Sequence, residues 1–173
     1  MKLHNIFNRV DETLNGPPLK FNKISNTLFV INLDMDNTIE VRLLHKVIQQ
    51  LKCTSILFSS PKNKDPFELT KFFNGPGAIR IFTTISTIVE PYDPDVVVFI
   101  PIGTDVEVEN KKTKLYRVVM RKLQLMGKLN GIEELQLDEY DKPIFVGTRK
   151  KASSLSTETL SDVVKQFGIS KFV

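Results

Sequence analysis

The stretch Phe29-Val30-Ile31-Asn32-Leu33-Asp34-Met35-Asp36-Asn37-Thr38-Ile39 carries the sharpest chemical option in this 173-residue chain. An apolar run ends in two carboxylates two residues apart, followed by a hydroxyl. A strand that delivers an aspartate to its tip can use it as a nucleophile and split a phosphoryl transfer into two easier steps. The same residues also have a purely structural use. Asp and Asn gather at strand ends and helix starts, where their side chains accept orphan backbone N–H bonds and favour the helix dipole. On that reading Asn37 caps a helix, and Glu40, three residues on, completes a capping box.

The other reactive residues are few. His4 and His45 are the only histidines, and His45 is expected on a solvated helix face. Cys53 is the single cysteine, which excludes an intramolecular disulfide and a cysteine-rich zinc site; it is expected as a small buried residue. Asp93, Asp95, Asp105, Glu107 and Glu109 match no calcium-loop spacing. There is no glycine-rich phosphate loop and no serine elbow, so no metal and no cofactor is expected.

Charge offers a second kind of site. The net charge is +4, but residues 1–108 sum to −1 and residues 109–151 to +5. Lys111, Lys112, Lys114, Arg117, Arg121, Lys122 and Lys128 are dense enough to form a face, and Arg149, Lys150 and Lys151 add a second cluster. Such a block attracts anionic lipid headgroups, RNA or an acidic protein, with an affinity that falls as salt rises. Stacking aromatics beside it are limited to Tyr116 and Tyr140, which disfavours a dedicated single-strand reader.

The elements that must position these residues follow from periodicity. Apolar residues make up 41% and charged residues 25%, an ordinary globular balance, and the length suits one domain. No apolar stretch reaches the ~20 residues of a membrane span, and the N-terminus lacks a secretory pattern, so the expectation is a cytosolic product, not secreted, with peripheral membrane contact at most. Residues 1–20 read as a flexible arm, although Leu3, Ile6, Phe7 and Val10 also fall at the spacing of a short amphipathic turn; residues 21–173 read as the domain.

The expected class is α+β, a single domain with a mixed sheet. A β-α-β unit opens it: strand 27–34, helix 38–52 with Val41, Leu44, Ile48 and Leu51 inward, and strand 54–58. Asp65-Pro66-Phe67-Glu68 signals a helix that stops by Asn74-Gly75-Pro76-Gly77. Later antiparallel strands follow, with a long Thr-rich strand over 79–90 and a buried strand over 96–100. Residues 111–126 suit a helix closed by Gly127 better than a hairpin with a strand over 115–120. A short strand covers 144–146. A C-terminal helix is capped by Ser156, stapled by Leu155 and Leu160, and stopped by Gly168.

Leu33-Asp34-Met35-Asp36-Asn37-Thr38-Ile39 resembles the first motif of the haloacid dehalogenase superfamily. The resemblance implies Asp34 as nucleophile, Asp36 as acid/base, Ser59 as the second-motif hydroxyl, and a magnesium ion to neutralise the phosphate. It covers residues 28–60 only. The family's helical turn and hairpin after the motif are missing. Ser59 comes only 25 residues after Asp34, and the strand 96–100 ends in Pro101 where later acids belong. These departures favour the junction reading over a phosphohydrolase.

Taken whole, the order of elements resembles a rhabdovirus matrix protein: a proline-containing arm, then an α+β domain around one sheet, with the long Thr-rich strand at 79–90, a late basic element and a C-terminal helix. Pro17-Pro18-Leu19-Lys20 lacks the tyrosine of that family's budding motif, as in a plant-infecting member. The resemblance implies a non-enzymatic virion protein of the host cytoplasm. It would self-associate, bind nucleoprotein or the ribonucleoprotein, attach peripherally to anionic membrane, and bind RNA non-specifically.

Overall fold

Seven strands and three helices account for most of the described residues. The computed structural model describes residues 18–33, 38–59, 76–99, 106–125, 127–138, 140–149 and 151–167. Its strands are β1 (Phe21–Lys23), β2 (Leu28–Asn32), β3 (Thr38–Ile48), β4 (Leu51–Ser59), β5 (Val96–Phe99), β6 (Gly131–Leu137) and β7 (Tyr140–Thr148). Its helices are α1 (Pro76–Val89), α2 (Val106–Leu125) and α3 (Thr157–Lys165). The strands form one mixed sheet in the order β1-β2-β3-β4-β5-β7-β6, in which β4 and β5 run parallel. The α+β class with a mixed sheet is therefore as expected. The described residues fall into two compact units, drawn from Met1–Arg42 with Phe58–Tyr92, and from Leu43–Leu57 with Asp93–Val173.

In the first unit β2 pairs antiparallel with β1 and with the start of β3. Phe29 opposes Val41 and Ile31 opposes Ile39, and all four are buried. Their cover is α1, which packs on β2 and buries Ile81, Phe82, Ile85, Ile88 and Val89. Phe21 meets Phe29 edge-on, with ring centroids 6.4 Å apart.

The expected strand over 79–90 is thus a helix. Its apolar residues fit both periods, because Ile81, Phe82, Ile85, Ile88 and Val89 recur at i, i+1, i+4, i+7 and i+8. The threonines that suggested a strand are accommodated by back-bonding. Thr84 Oγ1 donates to Arg80 O at 2.8 Å and Thr87 Oγ1 to Thr83 O at 3.0 Å. Thr84 Oγ1 also accepts the Leu19 N–H at 2.9 Å, which ties the segment before β1 to α1.

The expected helix 38–52 is overturned as well. Residues 38–48 are β3, and β3 and β4 are joined by Gln49-Gln50, whose φ angles are 51° and 65°. Both signs are those of a type I′ hairpin turn, which normally announces itself by Asn-Gly. Val41, Leu44, Ile48 and Leu51 imitate a helical stripe because the strand buries residues on both of its faces: Leu43 is buried on one side, Ile48 on the other. The β-α-β unit is therefore a strand meander, and the capping box of Asn37 with Glu40 has no helix to cap; Glu40 pairs with Val30 in the sheet and bonds Arg42 at 3.2 Å.

The second unit is layered. On one face, Cys53, Val96, Val98, Leu135, Ile144 and Val146 pack with Leu160, Val163, Val164 and Phe167 from α3 and its end. On the other, Tyr116 of α2 lies 6.0 Å from Phe99 and 5.6 Å from Phe145, ring to ring. Gly147 of β7 lies beneath Met120 and Leu129: a Cβ there would come within 2.9 Å of a Leu129 methyl. Asp95 ties the start of β5 to the start of β4 and to the end of β7. Its carboxylate accepts the Lys52 N–H at 2.8 Å, its N–H donates to Lys52 O at 2.7 Å, and its O accepts the Arg149 N–H at 2.9 Å.

The C-terminal helix starts as expected. Ser156 Oγ accepts the Thr159 N–H at 3.2 Å, and Leu155 and Leu160 both reach the core. The arm up to residue 17, the helix signalled at 65–68 and the stop at Gly168 lie outside the described residues.

Candidate anionic-surface interface

Helix α2 positions the basic block. Thr113, Tyr116, Met120 and Leu123, spaced i, i+3, i+7 and i+10, are buried against the sheet. The complementary spacing, Lys114, Arg117, Val118, Arg121, Gln124 and Leu125, is exposed. The helix ends in a Schellman turn: Gly127 at φ 73° donates to Gln124 O at 3.0 Å, and Lys128 N–H donates to Leu123 O at 2.9 Å. That turn carries exposed Lys128 past the helix end, where a cation also favours the dipole.

Lys114, Arg117, Arg121 and Lys128 are therefore exposed basic residues of one helix and its terminal turn, as the sequence stripe suggested. Lys111, Lys112 and Lys122 are helical residues whose side chains lie outside the described ones. Two exposed apolar side chains sit within the stripe and were not anticipated: Val118, 40% exposed, and Leu125, 73% exposed. The sequence signal for them was present, since both follow the i, i+7 spacing of the basic residues. The inward stripe runs through Tyr116, Met120 and Leu123 and leaves Val118 outside it. Tyr116 is buried and offers no stacking platform.

Arg117 is shared between two tasks. Its Nε and Nη2 donate to the Glu134 carboxylate at 2.5 and 2.9 Å. Those hydrogen bonds raise the guanidinium's pKa above its ordinary value, so the charge is permanent, and they hold it at the rim of the helix face. The second cluster is differently used. Arg149 pairs with Asp93, and Lys151 Nζ donates to Gln50 O at 3.2 Å, so both brace loops within the chain; Lys150 lies outside the described residues.

The phosphoryl-transfer option rests on Asp34, Asp36 and Ser59. Asp34 and Asp36 lie outside the described residues, as does the side chain of Ser59 at the end of β4. Among the described residues the next element after the strand before Asp34 is another strand, β3. His45, expected on a solvated helix face, is half-buried on β3 with Nδ1 2.9 Å from Thr54 Oγ1. Cys53 is buried, and burial pushes its thiol pKa up to about 11, which leaves a poor nucleophile. No group of three or more His, Cys, Asp or Glu set to hold a metal occurs among the described residues. No helix among them is long and apolar enough to cross a membrane. No family model matches the chain, and comparison with curated proteins and with solved structures likewise finds no match.

Proposed function

We propose that this chain is a non-enzymatic assembly protein of the viral-matrix kind, which self-associates and bridges a ribonucleoprotein and an anionic membrane surface, in the virion and the host cytoplasm. The observation that carries the reading is the outward side of α2, where Lys114, Arg117, Arg121 and the following Lys128 surround exposed Val118 and Leu125. Basic side chains near an anionic bilayer contribute about 1 kcal/mol each; with Arg117 offset by Glu134, Lys114, Arg121 and Lys128 give salt-sensitive attachment of about 3 kcal/mol. Val118 and Leu125 add apolar contact where the surface is a membrane rather than RNA. The layout resemblance to plant-infecting rhabdovirus matrix proteins points the same way.

The test is co-sedimentation with phosphatidylserine vesicles. Binding is expected at low salt, with loss in high salt, loss on phosphatidylcholine alone, and loss in Arg117→Gln/Arg121→Gln. Leu125→Asp should weaken vesicle binding more than RNA binding. Binding indifferent to salt and to both arginines refutes the basic face. Magnesium-dependent phosphatase turnover that disappears in Asp34→Asn would refute the non-enzymatic reading itself.

A further inference from the structure

We propose that the two outer strands of the sheet, β1 and β6, pair with one another between copies of the chain, so that the sheet continues from molecule to molecule. The inference rests on the self-association in the function proposed above and names the surface that performs it.

Among the described residues β1 and β6 are the terminal strands of the sheet order. An outer strand presents a row of backbone donors and acceptors that can template another strand. The ladder shows which groups those are on β1. Asn32 N–H donates to Lys20 O at 2.9 Å and Ile24 N–H donates to Leu28 O at 3.0 Å. Antiparallel alternation then turns the backbone groups of Phe21 and Lys23 away from β2. Exposed Ile24, 61% accessible, ends the same edge.

The two edges carry opposite charge. Residues 18–27 contain Lys20 and Lys23 and no acid, and both lysines are exposed. Residues 131–138, which are β6 and the position after it, contain three acids and no basic residue. Of these acids Glu134 is engaged by Arg117, whereas Glu133 and Asp138 form no ion pair among the described residues. Like edges therefore repel: a β1–β1 contact brings lysines together, and a β6–β6 contact brings carboxylates together. Only the unlike pairing is attractive, which selects β1 of one copy against β6 of another and suppresses dimers between like edges. A contact between two different patches is heterologous, and it propagates as a filament or closes as a ring. β1 has only three residues, so each contact is weak; association in solution rises with concentration, and the high local concentration at a membrane or ribonucleoprotein surface strengthens it further.

Sedimentation velocity of the full chain over a concentration series tests this. Wild type should associate at low salt. Lys20→Glu/Lys23→Glu and Glu133→Lys/Asp138→Lys should each weaken association by about tenfold or more while keeping the wild-type circular dichroism spectrum. Mixing the two variants should restore association, because the reversed edges are complementary to each other. Lys23→Pro removes an outward backbone donor without touching the β1–β2 ladder, and should weaken association with charge reduced by only one. Variants that associate like wild type, or a mixture that fails to recover, overturn the edge pairing while leaving self-association standing. A wild type that stays monomeric throughout overturns both.

Discussion

The turn Gln49-Gln50 holds two non-glycine residues in left-handed backbone, at φ 51° and 65°, and both are exposed. A side chain in that region crowds its own carbonyl at about 1–2 kcal/mol per residue. Asn tolerates the region better than Gln, and Gly meets no steric penalty there, although Gly gives back about 0.5–1 kcal/mol through the freedom of the unfolded chain. Gln49→Asn/Gln50→Gly should therefore stabilise the protein by about 1–2 kcal/mol. At this chain length that is roughly 3–6 °C in Tm. The hydrogen bond from Lys151 Nζ reaches the backbone oxygen of residue 50, so the substitution keeps it. Urea unfolding followed by circular dichroism is the assay: the midpoint should rise with the slope unchanged. Gln50→Val, which places a branched side chain in the same region, should lower the midpoint. An unchanged or lowered midpoint for the Asn-Gly variant would refute the argument, because it would mean that the glutamine side chains themselves stabilise the hairpin.

Gly147→Ala should destabilise by about 1–3 kcal/mol, since the new methyl presses on Leu129 and Met120 where α2 packs on β7; a chemical melt reads it, and the same substitution should cost less in a Leu129→Ala background, where the clash is relieved. Cys53 gives a pH dependence of known sign. Its folded pKa of about 11 lies above the ordinary 9.0, so its contribution is complete below pH 9 and disappears as pH rises towards 11. The loss amounts to roughly 3 kcal/mol, read as the difference between wild type and Cys53→Ala in melts across that window. Equal slopes in the two proteins would refute it.

Some of this molecule is written locally in the sequence. Residues 155–165 contain a staple, a cap and one apolar face, all within a few residues of one another, and the helix forms as those signals require. The strand at Leu28–Asn32, the buried run at Val96–Phe99, the buried Cys53 and the basic stripe of α2 with its Gly127 stop are legible for the same reason, because each is a property of neighbours in the chain.

Tertiary structure decided the rest. Residues 38–59 are a hairpin whose turn has no glycine or asparagine, and burial on both faces of the sheet erases the alternation that marks a strand. Residues 76–89 fit both periods, and packing of α1 on β2 selects the helix. The candidate site divides in the same way. The charges of α2 could be listed from sequence, but which side of the helix faces water depended on Tyr116 reaching Phe99 and Phe145, residues distant in the chain. That contact exposes Val118 and Leu125 among the cations, and Arg149 and Lys151 are drawn into loop bracing because Asp93 and Gln50 lie beside them only in the folded chain. Local signals set an element's type where cap, period and turn agree. Where they conflict or are missing, the burial of one element against another, worth more than any single propensity, makes the choice.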